Sequence, residues 1–266
     1  MIATVHIQTA LRDRRTCLKN TFCTPPFKVA DITEDKRAAD LHLMLMSASP
    51  GILDGDRYQL TIELAAGSSL RLHTQSYQRI FHMQQGASQQ MDVHCQPGAS
   101  FCFLPHPSVP HAHASFAAKN NIHLSERCRL LWGEVLTCGR KLNGEAFHFS
   151  RYHSLTSVYI RDRLALRENM CIVPSQNDVT AMGLWEGFTH HASLIWLDDP
   201  AVIGAAAESI RDYLSGQPGI LYGITAAPVK GLVIRLLGHK AEQLFDYLKA
   251  MAAILSSLPK PAAYAH

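Results

Sequence analysis

Alternation with a period of two residues dominates the chain from its start to about residue 197, and it confines most of the molecule to half-buried β-strands. Arg57-Tyr58-Gln59-Leu60-Thr61-Ile62-Glu63-Leu64 shows the pattern in full. Successive side chains of a strand point to opposite faces, so Tyr58, Leu60, Ile62 and Leu64 share one face and the polar residues the other. The opening Met1-Ile2-Ala3-Thr4-Val5-His6 alternates in the same way. Comparable runs fall near 41–47, 69–75, 100–104, 128–138, 145–153, 157–166 and 190–197, punctuated by Gly, Pro, Asn and Asp.

Helical spacing arrives only afterwards. Asp199 followed by Pro200 reads as an N-cap with proline at the first helical position, and Val202, Ala206, Ile210 and Tyr213 then recur on one face until Gly216. Two strand-like runs near 219–225 and 229–237 follow. Leu244, Leu248, Met251 and Leu255 then mark a second amphipathic helix that stops before Pro259. With no sequence repeat or low-complexity tract to divide the 266 residues, the expectation is one domain spanning 1–266. It is strand-rich over 1–198, mixed over 199–257, and ends in a short tail at 258–266.

Hydrophobic residues at 47% and charged residues at 18% allow a sizeable core. Lys and Arg number 25 against 22 acidic residues, spread without basic blocks, which argues against nucleic acid or an anionic membrane surface as partner. The first residues lack the cationic start and apolar core of a secretory signal. The charge-free stretch from Val93 to Ala118 carries four prolines and four histidines, unlike a lipid-spanning helix. Seven cysteines form no C-x-x-C pair and leave one over in any disulfide scheme, which fits a reducing cytoplasm.

The chain contains no G-x-S-x-G, G-x-x-x-x-G-K-[ST], H-E-x-x-H or G-x-G-x-x-G. Its one metal-like arrangement is His111-Ala112-His113, since residues i and i+2 of a strand share a face and could share an ion. A jelly-roll metalloenzyme using this pair is the alternative function, but such a site wants a glutamate a few residues on, and the next carboxylate is Glu126. A structural role is the plainer reading. His190 and His191 are adjacent, so a strand would send them to opposite faces.

Three further segments combine glycine with charge: Pro50-Gly51-Ile52-Leu53-Asp54-Gly55-Asp56, Glu134 through Gly139-Arg140 to Gly144-Glu145, and Arg167-Glu168. Each alone reads as a turn or a salt bridge. In order with Thr24-Pro25-Pro26-Phe27-Lys28-Val29, Leu72-His73-Thr74-Gln75-Ser76 and Arg79, Leu104-Pro105 with Pro107 and Pro110, and Gly187-Phe188-Thr189-His190, they resemble the blocks of the urease accessory protein UreD family, also called UreH.

That resemblance implies a mainly β fold: stacked, largely antiparallel β-sheets, sandwich-like or β-helix-like, with two C-terminal α-helices. It implies a non-enzymatic maturation factor in the cytoplasm that joins UreF and the GTPase UreG, docks on apo-urease and helps deliver nickel. Ni²⁺ would be transient cargo and no cofactor would be tightly bound. Family members look as though they carry the ion through an internal, water-filled passage. Matching the family's acidic positions gives Asp56, Glu134 and Glu168 as its wall, with Gln78 as a polar lining residue. Whether Asp54 or Asp56 faces the passage stays open. Gly51, Gly55, Gln75, Arg79, Pro105, Gly139, Arg140, Gly144 and Glu145 are expected to shape the blocks.

Overall fold

A computed structural model describes residues 1–35 and 37–258; most of the expected tail lies outside the described residues. The chain opens with the hairpin β1 (Ile2–Arg12) and β2 (Arg15–Cys23), then a second antiparallel pair, β3 (Phe27–Asp31) and β4 (Leu41–Ser47). From there it coils between two sheets. β5 (Arg57–Leu64) lies in the first sheet, β6 (Ser69–Thr74) in the second, and the short β7 (Gln78–Ile80) at the corner. The next turn repeats this order with β8 (Ala87–Cys95), β9 (Ser100–Leu104) and β10 (Ser108–Pro110). β11 (Ser115–Leu124) and β12 (Arg129–Thr137) begin a third turn, and β13 (Arg151–Ile160) returns to the first sheet and folds back as β14 (Arg163–Ile172).

The architecture is mainly β with stacked sheets, as expected, but its centre is parallel and the sheets are mixed. β5, β8 and β11 of the first sheet are each followed by a strand of the second, and β1, β5, β8, β11 and β13 are all parallel neighbours, as are β4, β6, β9 and β12. The largely antiparallel expectation is corrected here because alternation reports which face is buried and says nothing of the neighbour's direction. Coiling stacks like on like: Leu41, Leu70, Phe101 and Leu130 stand in register across the second sheet. Ile7, Ile62, Val93, Ile122, Val158 and Leu166 do so across the first. Both rows belong to one core between the sheets.

The expected runs at 145–153 and 157–166 also move, to β13 and β14. The turn between these is Arg161-Asp162, with φ of +50° and +60°, and it carries neither glycine nor proline to announce it.

The outer face of the second sheet is covered by the C-terminal part. β15 (His190–Leu197) pairs with β12, and β17 (Gly231–Gly238) and β16 (Leu221–Ala226) extend the sheet antiparallel. A 3₁₀ turn at Pro200–Val202, capped by the Asp199 carboxylate accepting from the Ala201 N–H at 2.9 Å, leads into α1 (Ile203–Ser215). In α2 (Ala241–Ser257) the expected Leu244, Leu248, Met251 and Leu255 are all buried. They join Ile210, Leu214 and the outward residues Leu131, Val135, Leu194 and Trp196 in a second core. Gly133 lets α2 come close, since a Cβ there would lie 2.5 Å from Leu104 and 3.2 Å from Leu248.

Candidate functional site

Between the sheets, one inward row of the first sheet changes character along its length. Val5, Leu60 and Met91 are followed in register by Asn120, Thr156 and Glu168. Across from it, Glu134 of β12 faces inward, in register with Ser193 of β15, Arg235 of β17 and Gly223 of β16. A polar seam therefore crosses the interior where an apolar core would be continuous.

Glu134 is its centre. One carboxylate oxygen accepts from Trp132 Nε1 at 2.8 Å, Asn120 Nδ2 at 3.3 Å and the Thr156 hydroxyl at 3.3 Å. The other accepts from the Ser154 hydroxyl at 3.0 Å. Enclosure raises the Glu134 pKa; the hydrogen bonds from Trp132, Ser154 and Thr156 oppose this, and the nearby Glu168 charge adds to it.

Two cavities meet at this side chain. A larger one of about 140 Å³, room for several waters, opens between the 47–51, 74–78 and 105–108 segments and reaches inward past Gln89 and Asn120 to Glu134. A narrow one of about 10 Å³ continues beyond it, lined by Thr156, Glu168, His191 and Ser193. Trp132, Glu134 and Ser154 line both. Gln78 lies on the wall of the larger cavity, where its amide donates to Gln89 Oε1 at 3.3 Å and accepts from the Ser108 hydroxyl at 2.9 Å. At the far end Glu168 is gripped by Arg235, through bonds of 2.6 and 3.0 Å to one oxygen and 2.8 Å to the other. His191 stacks on Trp185 with ring centroids 5.9 Å apart. Burial, and then the Arg235 charge, lower its pKa to about 4, so it is neutral near pH 7.

Asp56 is placed differently. It is 2% exposed and lies outside the residues lining either cavity. Its carboxylate accepts from the Leu53 N–H at 2.9 Å, the Tyr58 hydroxyl at 2.7 Å and the Met1 amine at 3.0 Å. Burial pushes its pKa up, and these three donors more than offset that and hold it below the usual range. Asp54 is exposed and accepts from the backbone of Gln85 and Gly86. Neither of the two acids of this turn therefore reaches a cavity directly; Tyr58, the partner of Asp56, does.

The glycine-charge blocks shape turns, of which the one at Gly51 reaches the mouth of the larger cavity. Gly51 presses on the corner strand, where a Cβ would stand 2.3 Å from the Arg79 carbonyl, while Arg79 itself is exposed. Gly55 has φ +75°. Gln75 and Pro105 line the larger cavity. Gly139, at φ +118°, fits between the carbonyls of Glu145 and Pro110, and Gly144 closes a 3₁₀ turn. Arg140 binds both oxygens of Glu145, which also accepts from the Ala112 N–H at 3.1 Å.

That contact fixes the histidine segment, and its geometry corrects the premise of a shared strand face. β10 ends at Pro110; His113 sits in a turn at φ +61°. His111 is buried edge-on against Phe81, whereas the His113 ring meets His82. Among the described residues no three His, Cys, Asp or Glu side chains are grouped to hold a metal ion. His190 and His191 do face opposite sides of β15, the second toward the narrow cavity. The seam residues Asn120, Ser154, Thr156, Ser193 and Arg235 escaped sequence reasoning. Their signal was polar side chains at inward positions of strands, visible only once the register is known.

The family model for the UreD urease accessory protein matches residues 1–265 of this chain. The chain is 40% identical over 247 residues to a urease accessory protein UreD of Flavobacterium johnsoniae, covering 92% of this chain and 89% of the relative. It is 30% identical to the UreD of Acetivibrio thermocellus, covering 94% and 96%, and 31% identical to that of Haemophilus influenzae, covering 92% and 94%.

Proposed function

The chain belongs to the UreD urease accessory protein family, and on that premise we propose that it is a non-enzymatic scaffold that passes Ni²⁺ to apo-urease in a cytoplasmic complex with UreF and the GTPase UreG. Nickel is cargo in this reading, and no cofactor is held tightly. The observation that carries it is Glu134 standing at the junction of the two cavities, with Glu168 beyond. Nickel stands high in the affinity order of divalent ions, so a full set of imidazole or thiolate ligands would trap it. Carboxylates placed singly along a wet, narrow path attract a dication and let it go. Hydroxyls and amides around them replace part of its hydration shell. No helix among the described residues is long and apolar enough to cross a membrane.

Nickel bound per urease tests the reading, in extracts where urease is co-expressed with its accessory proteins. Glu134→Gln keeps the shape and the acceptor to Trp132 but removes the charge. We expect nickel content to fall several-fold while partner pull-down is unchanged; equal nickel content at equal complex would remove Glu134 from the path.

A further inference from the structure

Arg235 lines neither cavity, but it is out of place where it stands, bound to an acid on the wall of a cation path. It comes from β17, in register with Ser193 and Glu134, and its guanidinium occupies both oxygens of Glu168 beside the narrow cavity. A fixed positive charge there repels a dication and neutralises the one carboxylate beyond Glu134. Resting on the passage reading above, we propose that the Arg235–Glu168 pair is a displaceable latch, in which the guanidinium stands in for the metal on Glu168 and an arriving divalent cation takes its place.

The surroundings fit a side chain that moves. The Arg235 side chain is 49% exposed and that of Glu168 only 24%, so the arginine can leave without opening the core while the acid stays put. The residue opposite Arg235 on the edge strand β16 is Gly223, and nothing stands within 4 Å of where its Cβ would be. Opposed residues of an antiparallel pair project from the same face, so this empty space lies beside the guanidinium. The bidentate fork makes the closed position definite, because it satisfies both oxygens at once. Such a latch keeps the passage's own affinity low when no ion is present. It also favours ions of higher charge, since a monovalent cation gains less from Glu168 than the arginine already supplies.

Equilibrium dialysis of Ni²⁺ against the full chain decides it, with wild type, Arg235→Gln and the double variant Arg235→Gln/Glu168→Gln. Arg235→Gln should bind Ni²⁺ about tenfold more tightly than wild type, and the double variant should lose that gain. Arg235→Met, which keeps the stem, carries the same expectation should the glutamine variant fold poorly. Affinity within twofold of wild type in the folded arginine variants, or a gain that survives in the double variant, overturns the latch. Urease nickel content separates this from the passage itself. If Glu134→Gln lowers delivery and Arg235→Gln binds nickel no more tightly, the passage stands and the latch falls. If neither Glu134→Gln nor Glu168→Gln affects delivery, the passage reading falls whatever dialysis shows.

Discussion

At the scale of single residues, three acids that look alike in sequence do different physical work. Glu134 and Glu168 line cavities, whereas Asp56 is consumed by the Leu53 N–H, the Tyr58 hydroxyl and the Met1 amine. Asp56→Asn should therefore lower folding stability, by about 1–3 kcal/mol for the disrupted charged hydrogen bonds, while nickel delivered per folded complex stays at the wild-type level. Urea melts alongside urease nickel content check this; a stable variant with impaired delivery would return Asp56 to the path. Histidine makes its contribution through burial. His190 and His191 have pKa values lowered to about 4 in the fold, against about 6.5 in an unfolded chain. Between these values the unfolded chain takes up protons that the folded chain refuses, so their stabilising effect is complete above pH 6.5 and is lost as pH falls toward 4. The loss is at most about 3 kcal/mol for each. Thermal melts should show a Tm several degrees lower at pH 5 than at pH 7.5, and His191→Phe, which keeps a ring on Trp185, should flatten that dependence. A melt insensitive to pH over this range would contradict the burial argument.

At the scale of elements, what could be read from the chain depended on how purely each strand obeys its alternation. β4, β5, β6 and β9 have apolar inward faces and lie where the alternation puts them; β12 and β15 do so as well although Glu134 and Ser193 point inward, and both helices follow their apolar spacing. β8 and β11 went unrecognised because Gln89 and Asn120 occupy inward positions, and those are the residues that line the cavity. The rule failed where the molecule departs from a packed core, as expected of functional regions. Strand direction was illegible for a different reason: it follows from coiling between two sheets, which no local pattern encodes. The Gly51 turn was legible as a turn, but its pressure on Arg79 was not. Gly51→Ala would force the 50–56 turn off the corner strand, because the obstacle at 2.3 Å is backbone and cannot rotate away. We expect a loss of at least about 2 kcal/mol in urea unfolding, and a loss below 0.5 kcal/mol would show that the corner yields freely.

At the scale of the whole molecule, the coil explains how a chain with a continuous core can also hold a polar seam. The stacked apolar row beside it, through Ile7, Ile62, Val93, Ile122, Val158 and Leu166, carries the fold, so the row through Asn120, Thr156 and Glu168 can be polar without breaking the sheets apart. This separation of load makes the passage testable by obstruction. Ala118 is 9% exposed, lines the larger cavity, and lies in register between Gln89 and Ser154. Ala118→Leu adds apolar volume to a void and removes no hydrogen bond or charge. Filling cavities commonly raises stability by about 0.5–2 kcal/mol, so this variant should unfold at equal or higher urea concentration than wild type. It should also bind its partners normally while delivering less nickel, because the added side chain narrows the approach to Glu134. Misfolding cannot produce that combination, since a damaged scaffold loses stability and delivery together. Urea midpoints, pull-down and urease nickel content measured on the same preparations give the answer: a stabilised, fully assembled variant that fills urease with nickel as well as wild type would mean that the ion travels outside the coil.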